Sequence, residues 1–100
     1  MIQLVPLYTK YIPANLGFLF HLTTLIVQNS NLIEIKAENF LGMPELQYLD
    51  LAYNKIKSVP LDEFSTLTKL KLLSLSNNQI EVIPSNLFSN NLNLEYIELD

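Results

Sequence analysis

Apolar residues recur along this 100-residue chain at a fixed spacing rather than in one continuous run. The pattern Leu-x-x-Leu-x-Leu, with Ile or Val in some Leu places, occurs four times without a gap, starting at Leu22, Leu46, Leu70 and Leu94. Each start lies 24 residues after the one before (46−22, 70−46, 94−70). Alternate side chains of a strand point to opposite faces, so each occurrence predicts a short strand with one apolar face. The sequence therefore predicts an internal repeat.

A polar residue follows each of the first three strands at the same repeat position, at Ser30, Asn54 and Asn78. An Asn amide both donates and accepts hydrogen bonds, so it can satisfy backbone groups where the strand ends and can link neighbouring turns. Ser30 has a shorter side chain with one donor, which predicts a looser turn in its unit. We also expect Asn78→Ala to destabilise the protein more than Asn93→Ala, because Asn93 occupies a variable position.

The second half of each unit predicts a convex side that is irregular and packed with large apolar residues. The pairs Val59-Pro60 and Ile83-Pro84 predict extended backbone, because Pro fixes φ and restricts the residue before it. Phenylalanine recurs where the longer convex arc leaves the widest space behind the strands, and we interpret it as core packing, at Phe40, Phe64 and Phe88. Asn91 interrupts the apolar pattern that Met43 and Leu67 follow, and the nearest apolar residue, Leu92, comes one place late.

The register divides the chain into units of one solenoid domain. Ile2-Gln3-Leu4 predicts the end of a strand in a degenerate first unit that is one residue short. The last unit stops after its strand motif, and neither end carries a polar cap, which indicates a fragment or a chain that self-associates through its ends. The predicted units are residues 1–21, 22–45, 46–69, 70–93 and 94–100.

These recurring positions resemble the typical 24-residue class of leucine-rich repeats, which includes Toll-like receptors, small matrix proteoglycans and neuronal guidance proteins. The resemblance covers residues 22–100 well and residues 1–21 less well. It implies an α/β-type repeat solenoid that is right-handed and curved, with a parallel concave β-sheet. The strands are expected near residues 24–28, 48–52, 72–76 and 96–99. By resemblance alone, such an array is expected to bind proteins.

Composition narrows the possible partners and compartments. The net charge is −4 and no run of Lys or Arg could follow phosphates, which argues against a nucleic-acid partner. The chain has no cysteine, so disulfides and Cys-based metal sites are excluded within it. No apolar run approaches the roughly 18 residues that a membrane span needs. The first residues do not form a signal peptide, because a charged start is missing and Pro6 interrupts the apolar stretch.

Catalytic chemistry finds no support in the residue pattern. His21 is the only histidine, and a variable loop position explains it without a metal or a catalytic role. The two glycines do not form a phosphate-binding loop. Glu98 and Asp100 could pair for acid–base work or weak cation binding, but the favoured interpretation of these two residues is a solvated acidic surface. We therefore expect no enzyme activity, no cofactor and no metal.

The concave face remains as the candidate binding surface. Its rows are Thr24, Tyr48, Leu72 and Tyr96; Ile26, Asp50, Ser74 and Glu98; and Gln28, Ala52, Ser76 and Asp100. Aromatic residues beside charge are typical of protein interfaces, although strand propensity alone also favours Tyr and Thr. The predicted protein-binding residues are Tyr48, Asp50, Leu72, Ser74, Tyr96 and Glu98.

The leading functional hypothesis is a protein-binding module in a larger extracellular or cell-surface receptor. An intracellular scaffold or regulatory subunit with the same repeats is the main alternative, which the missing cysteines and glycosylation sequons favour slightly. Two further alternatives are an enzyme whose catalytic domain lies outside these residues and an array with a purely structural role. A signal peptide and a cysteine-rich cap in the full-length gene would distinguish the first two.

Overall fold

The computed structural model describes residues 2–4, 21–36, 40, 42–59, 64–83 and 88–99. Within these residues the chain forms one five-stranded sheet in the order β1-β2-β3-β4-β5, and every neighbouring pair is parallel. The strands are β1 (Ile2–Leu4), β2 (Thr24–Val27), β3 (Tyr48–Asp50), β4 (Leu72–Ser74) and β5 (Tyr96–Glu98). The predicted parallel strands, including the one at residues 2–4, are confirmed.

The pairing register explains why the repeat is exact in the sequence. Thr24 pairs with Tyr48, Tyr48 with Leu72 and Leu72 with Tyr96, so each step is 24 residues. The first step is shorter, because Ile2 pairs with Leu25 and the offset there is 23 (25−2). This agrees with a first unit that is one residue short. Equal steps place each repeat position beside its own copy, so apolar positions stack on apolar ones.

The core lies behind the sheet and is continuous across the units. Leu25, Leu49 and Leu73 are fully buried at the same strand position. Phe40 and Phe64 are also fully buried, and the ring centroids of Phe64 lie 6.0 Å from Phe40 and 6.1 Å from Phe88. These separations are those of contacting aromatic rings. The predicted packing role of the phenylalanines is therefore confirmed.

The turns after β2 and β3 are each held by the Asn side chain of the following unit. The Asn54 Oδ1 atom accepts hydrogen bonds from the amides of Ser30 (2.9 Å) and Leu32 (3.2 Å). Its Nδ2 donates to the carbonyls of Val27 and Leu51, both at 2.9 Å. Since these partners lie in two successive units, one amide joins both turns. The predicted linking role of this residue is confirmed.

Asn78 repeats the same arrangement one unit later. Its Oδ1 accepts from the Ile56 amide at 3.0 Å, and its Nδ2 donates to the carbonyls of Leu51 (2.9 Å), Leu75 (3.0 Å) and Ser76 (3.3 Å). Asn93 makes a single exposed bond, from Nδ2 to the Thr68 carbonyl at 3.0 Å. The difference in hydrogen bonding agrees with the expected ranking of the two alanine variants.

The prediction of a looser turn at Ser30 is wrong. Ser30 is fully buried, and its hydroxyl donates to the Gln28 carbonyl at 2.9 Å. The distinctive feature of this turn is its backbone, because Asn31 has a φ of 59° in addition to the φ of 53° at Asn29. Asn adopts this left-handed region more readily than most residues. The unit that has Ser30 in place of the repeat Asn therefore also has a second left-handed residue, Asn31.

Asn91 takes the core position that Met43 and Leu67 occupy in the earlier units. It is buried, and its Nδ2 donates to the carbonyls of Phe64 (2.9 Å) and Leu67 (2.8 Å), while Leu92 is 88% exposed. Among the described residues the Oδ1 atom has no hydrogen-bond partner. Asn91 is not apolar, but its side-chain amide fills the same buried place as Met43 and Leu67 and bonds to the preceding unit. Pro60 and Pro84 lie outside the described residues.

Candidate functional site

The parallel register brings the six predicted binding residues onto three adjacent strands. Tyr48, Leu72 and Tyr96 are successive partners in one row. Asp50, Ser74 and Glu98 are successive partners in the next row, two residues further along each strand. Neighbouring strands lie about 4.8 Å apart, so the residues in each row form a continuous line across the sheet. Asp100, which belongs to the third predicted row, lies outside the described residues.

Exposure divides these six residues into three groups. Tyr48 is 42% exposed and Tyr96 is 54% exposed, while Leu72, Asp50 and Glu98 are half-buried. Ser74 is only 6% exposed, so it offers little area to a partner. Ser74 is thus the least accessible of the six predicted residues, and the strand register places it between Asp50 and Glu98.

Both carboxylates are held by side chains from the preceding unit. Gln28 Nε2 donates to Asp50 Oδ2 at 2.6 Å, and the Ser76 hydroxyl donates to Glu98 Oε2 at 3.3 Å. In each case the donor lies 22 residues before the acid. Asp50 Oδ1 also accepts from the Ala52 amide at 3.0 Å. These bonds restrict the acidic side chains before any partner arrives, and neither carboxylate is paired with a cation among the described residues.

Two depressions open on the concave face beside these rows. One has a volume of about 270 Å³ and is lined mainly by apolar groups around Tyr48, Ile26 and Leu72. The other, of about 510 Å³, lies between Asp50 and Glu98. The lining of the second depression includes the small residues Ala52, Ser74 and Ser76. We refer to it below as the acidic cavity.

Tyr53 borders the acidic cavity and was missed by the sequence analysis. It has a φ of 59°, as does Asn77 one unit later, and Asn29 one unit earlier has a φ of 53°. Its amide donates to the Ser76 carbonyl at 2.9 Å and its carbonyl accepts from the Asn29 amide at 3.0 Å, so the repeat fixes this backbone. Left-handed backbone is unfavourable for a bulky residue and tolerable for Asn. Tyr53, which is 53% exposed, is thus kept at a position that suits Asn.

Replacing Tyr53 by Asn is expected to stabilise the fold. The equivalent positions hold Asn29 and Asn77 in the same backbone conformation, so the substituted residue has a geometry that it tolerates. Relief of the left-handed tyrosine should raise the free energy of unfolding by about 0.5–1 kcal/mol. Denaturant midpoints of the two proteins measure this effect, and Tyr53→Phe, which retains the aromatic ring, serves as the control with no gain. A lower midpoint for Tyr53→Asn would contradict the strain argument.

Other chemistry is sparse in the described part of the chain. His21 is exposed at the start of the described segment before β2. Across residues 2–4, 21–36, 40, 42–59, 64–83 and 88–99, no group of three or more His, Asp or Glu side chains could hold a metal ion. The same residues contain no helix with the length and apolar character that a membrane crossing requires.

Comparison with known proteins places this geometry in a family. A family profile described as "Leucine rich repeat" matches residues 20–80. No curated protein matches the chain. Among solved structures, one similar chain comes from the crystal structure of the TLR13–ssRNA13 complex, with 33% identity and a TM-score of 0.77. It matches over 81% of this chain and 11% of its own length.

A second similar structure is that of the Toll–Spatzle complex of Drosophila, with 29% identity and a TM-score of 0.84 over 91% of this chain. This chain spans 12% of that structure's length. The matched profile covers more than half of the residues, and both similar structures share the fold, so the predicted fold class is confirmed. The chain belongs to the leucine-rich repeat family.

Proposed function

We propose that this chain is a protein-binding segment of a larger cell-surface receptor, and that it binds through its concave face. The observation that carries the proposal is the row of Tyr48, Leu72 and Tyr96 beside two carboxylates that are already held in place. Tyr offers a large, rigid contact area with a hydroxyl that fixes orientation. These side chains have no role in the core, because Leu49 and Leu73 fill the inward positions.

We propose a cell-surface location and a protein partner for the whole protein. Similarity to the Toll–Spatzle structure supports recognition of a protein, and similarity to two Toll-type structures supports a cell-surface location. The absence of a catalytic constellation in the sequence supports a recognition role without enzyme activity. We propose the unit boundaries 1–21, 22–45, 46–69, 70–93 and 94–100, which follow the register of the strands.

The comparisons do not support the exclusion of nucleic acid that the charge suggested. One of the similar structures is a complex with single-stranded RNA. The local charge of this concave face nevertheless favours a protein, because Asp50 on β3 and Glu98 on the edge strand β5 would repel phosphate groups. No Lys occupies any position of the strand rows. A nucleic-acid partner therefore becomes one of the outcomes that the experiments distinguish.

Truncation of the two exposed tyrosines is expected to weaken partner binding strongly. In the intact protein, Tyr48→Ala combined with Tyr96→Ala should reduce affinity by about 2 kcal/mol or more, which is roughly 30-fold, if both are interface hot spots. The change should leave the fold intact, because neither side chain is buried. Surface plasmon resonance against the partner that binds the unmodified protein measures the loss.

The matched control changes exposed apolar residues away from the strand rows. Val82→Ala combined with Leu92→Ala removes comparable exposed apolar groups and should leave affinity unchanged. Circular dichroism confirms that both double variants fold. Unchanged affinity in the folded tyrosine variant would locate the binding surface outside the concave row.

A further inference from the structure

We propose that the acidic cavity between Asp50 and Glu98 receives an arginine side chain of the partner protein. The inference rests on the proposed function and specifies the chemistry that the concave face selects. It concerns the acidic row beside the tyrosine row, and Leu72 borders both.

The shape of the cavity follows from the register of the sheet. Asp50 and Glu98 are both paired with Ser74, one on each side, so they lie two strand spacings apart, about 10 Å. Ser74 is small and buried, and it lines, together with both acids, an open depression of about 510 Å³. This volume falls within the range of small-ligand sites, about 300–1,000 Å³. The cavity thus has room for one long side chain between two carboxylates.

The charge of the cavity selects a cation. Asp50 accepts two hydrogen bonds and Glu98 accepts one from the described residues, and a carboxylate has about four lone-pair sites. Both acids therefore retain capacity to accept further hydrogen bonds. A guanidinium carries five N–H donors in a planar fork and can bond to two acceptors at once, whereas the ammonium of Lys is a compact point charge. Arginine consequently offers these acids more hydrogen-bond donors than lysine does, in a geometry that suits carboxylates.

Tyr53 completes the cavity at its rim. The repeat holds this residue in left-handed backbone, which suits the Asn found at the equivalent positions. The backbone conformation therefore disfavours the aromatic side chain that is present. An aromatic ring beside a bound guanidinium adds a cation–π contact. A role in binding accounts for a tyrosine at this position, which stability alone does not favour.

Two short probe peptides test the inference on the intact protein. One is an acetylated, amidated alanine pentapeptide with arginine at its centre, and the other carries citrulline, the neutral isostere of arginine. Isothermal titration calorimetry should show the arginine peptide binding about tenfold more tightly than the citrulline peptide, and the preference should shrink at high salt. Equal affinity for the two peptides would overturn the inference.

Variants locate the effect in the cavity. Glu98→Gln and Asp50→Asn keep the size of each side chain and should each reduce the affinity for the arginine peptide about fivefold, with no effect on the citrulline peptide. Glu34→Gln removes an exposed acid elsewhere and should change neither affinity. Tyr53→Asn should weaken arginine binding about threefold while raising the denaturant midpoint, a combination that a purely structural role would not give. An arginine preference that survives Glu98→Gln would overturn the inference.

A single-stranded oligouridine is the third probe. It should not compete with the arginine peptide, and competition would overturn the inference in favour of nucleic acid at this face. The two proposals can also fail separately. If the arginine peptide does not bind but the tyrosine double variant still loses its partner, the cavity assignment falls and the proposed function stands. If the tyrosine variant binds normally, the proposed function falls instead.

Discussion

Phe64→Ala is expected to lower the free energy of unfolding by about 3–5 kcal/mol, the usual range for removing a fully buried aromatic residue. Phe64 has no exposed surface, and its ring lies between those of Phe40 and Phe88. Its removal takes away two ring contacts and leaves a void that the neighbouring units cannot easily close, because the register of the sheet fixes their separation. Chemical denaturation, followed by circular dichroism, measures the change.

Two comparison variants separate packing from nonspecific effects. Phe64→Leu retains most of the buried volume and should cost about 1.5 kcal/mol. Leu92→Ala removes an apolar side chain that is 88% exposed and should change stability by less than about 0.5 kcal/mol. A cost for Phe64→Ala as small as that for Leu92→Ala would show that the convex core is not packed as described.

Asn54→Ala should destabilise the protein by roughly 3 kcal/mol or more. The change removes the acceptor of two backbone amides and the donor to several backbone carbonyls, and each buried group left without a partner costs about 1–3 kcal/mol. Hydrogen exchange gives a second readout that is specific to the mechanism. The amides of Ser30 and Leu32 should exchange faster in the variant, because the Asn54 side chain is their acceptor.

The other asparagines provide a graded control for this prediction. Asn78→Ala should cost less than Asn54→Ala, because Asn78 is only half-buried and water can replace part of its bonding. Asn93→Ala should cost at most about 0.5 kcal/mol, since it loses one exposed hydrogen bond. Equal denaturant midpoints for the Asn54 and Asn93 variants would remove the turn assignment.

The strands could be predicted because the same strand motif recurs several times in the sequence. Leu25, Leu49 and Leu73 share a position, so the register of the sheet is the spacing of the repeat itself. The turn at Ser30 could not be predicted in the same way. The acceptor of the Ser30 amide is the side chain of Asn54, in the next unit. The turn also depends on the left-handed backbone of Asn31, which the equivalent residues of the later units do not adopt. The role of Asn91 was hidden for a similar reason, because its partners belong to the preceding unit.

The candidate site was predicted to the level of the strand rows and no further. Alternation along a strand identifies Tyr48 and Tyr96 as outward residues, and their exposure agrees. Alternation does not indicate depth, so the burial of Ser74 between its two acidic neighbours was not foreseen. Tyr53 lies just beyond a strand, where the row pattern ends. The signal that could have identified it is the comparison with Asn29 and Asn77, since a Tyr among asparagines marks an unusual use of a turn position.

Contacts between strands run in one dimension within the described residues, because each strand touches only the strand before it and the strand after it. Tension applied to the two ends of such an array acts on the junctions in series, so the weakest junction yields while the others stay closed. Each 24-residue unit that is released would lengthen the chain by roughly 80 Å. A repeat array built in this way would extend in discrete steps under load and would keep the concave faces of its remaining units intact.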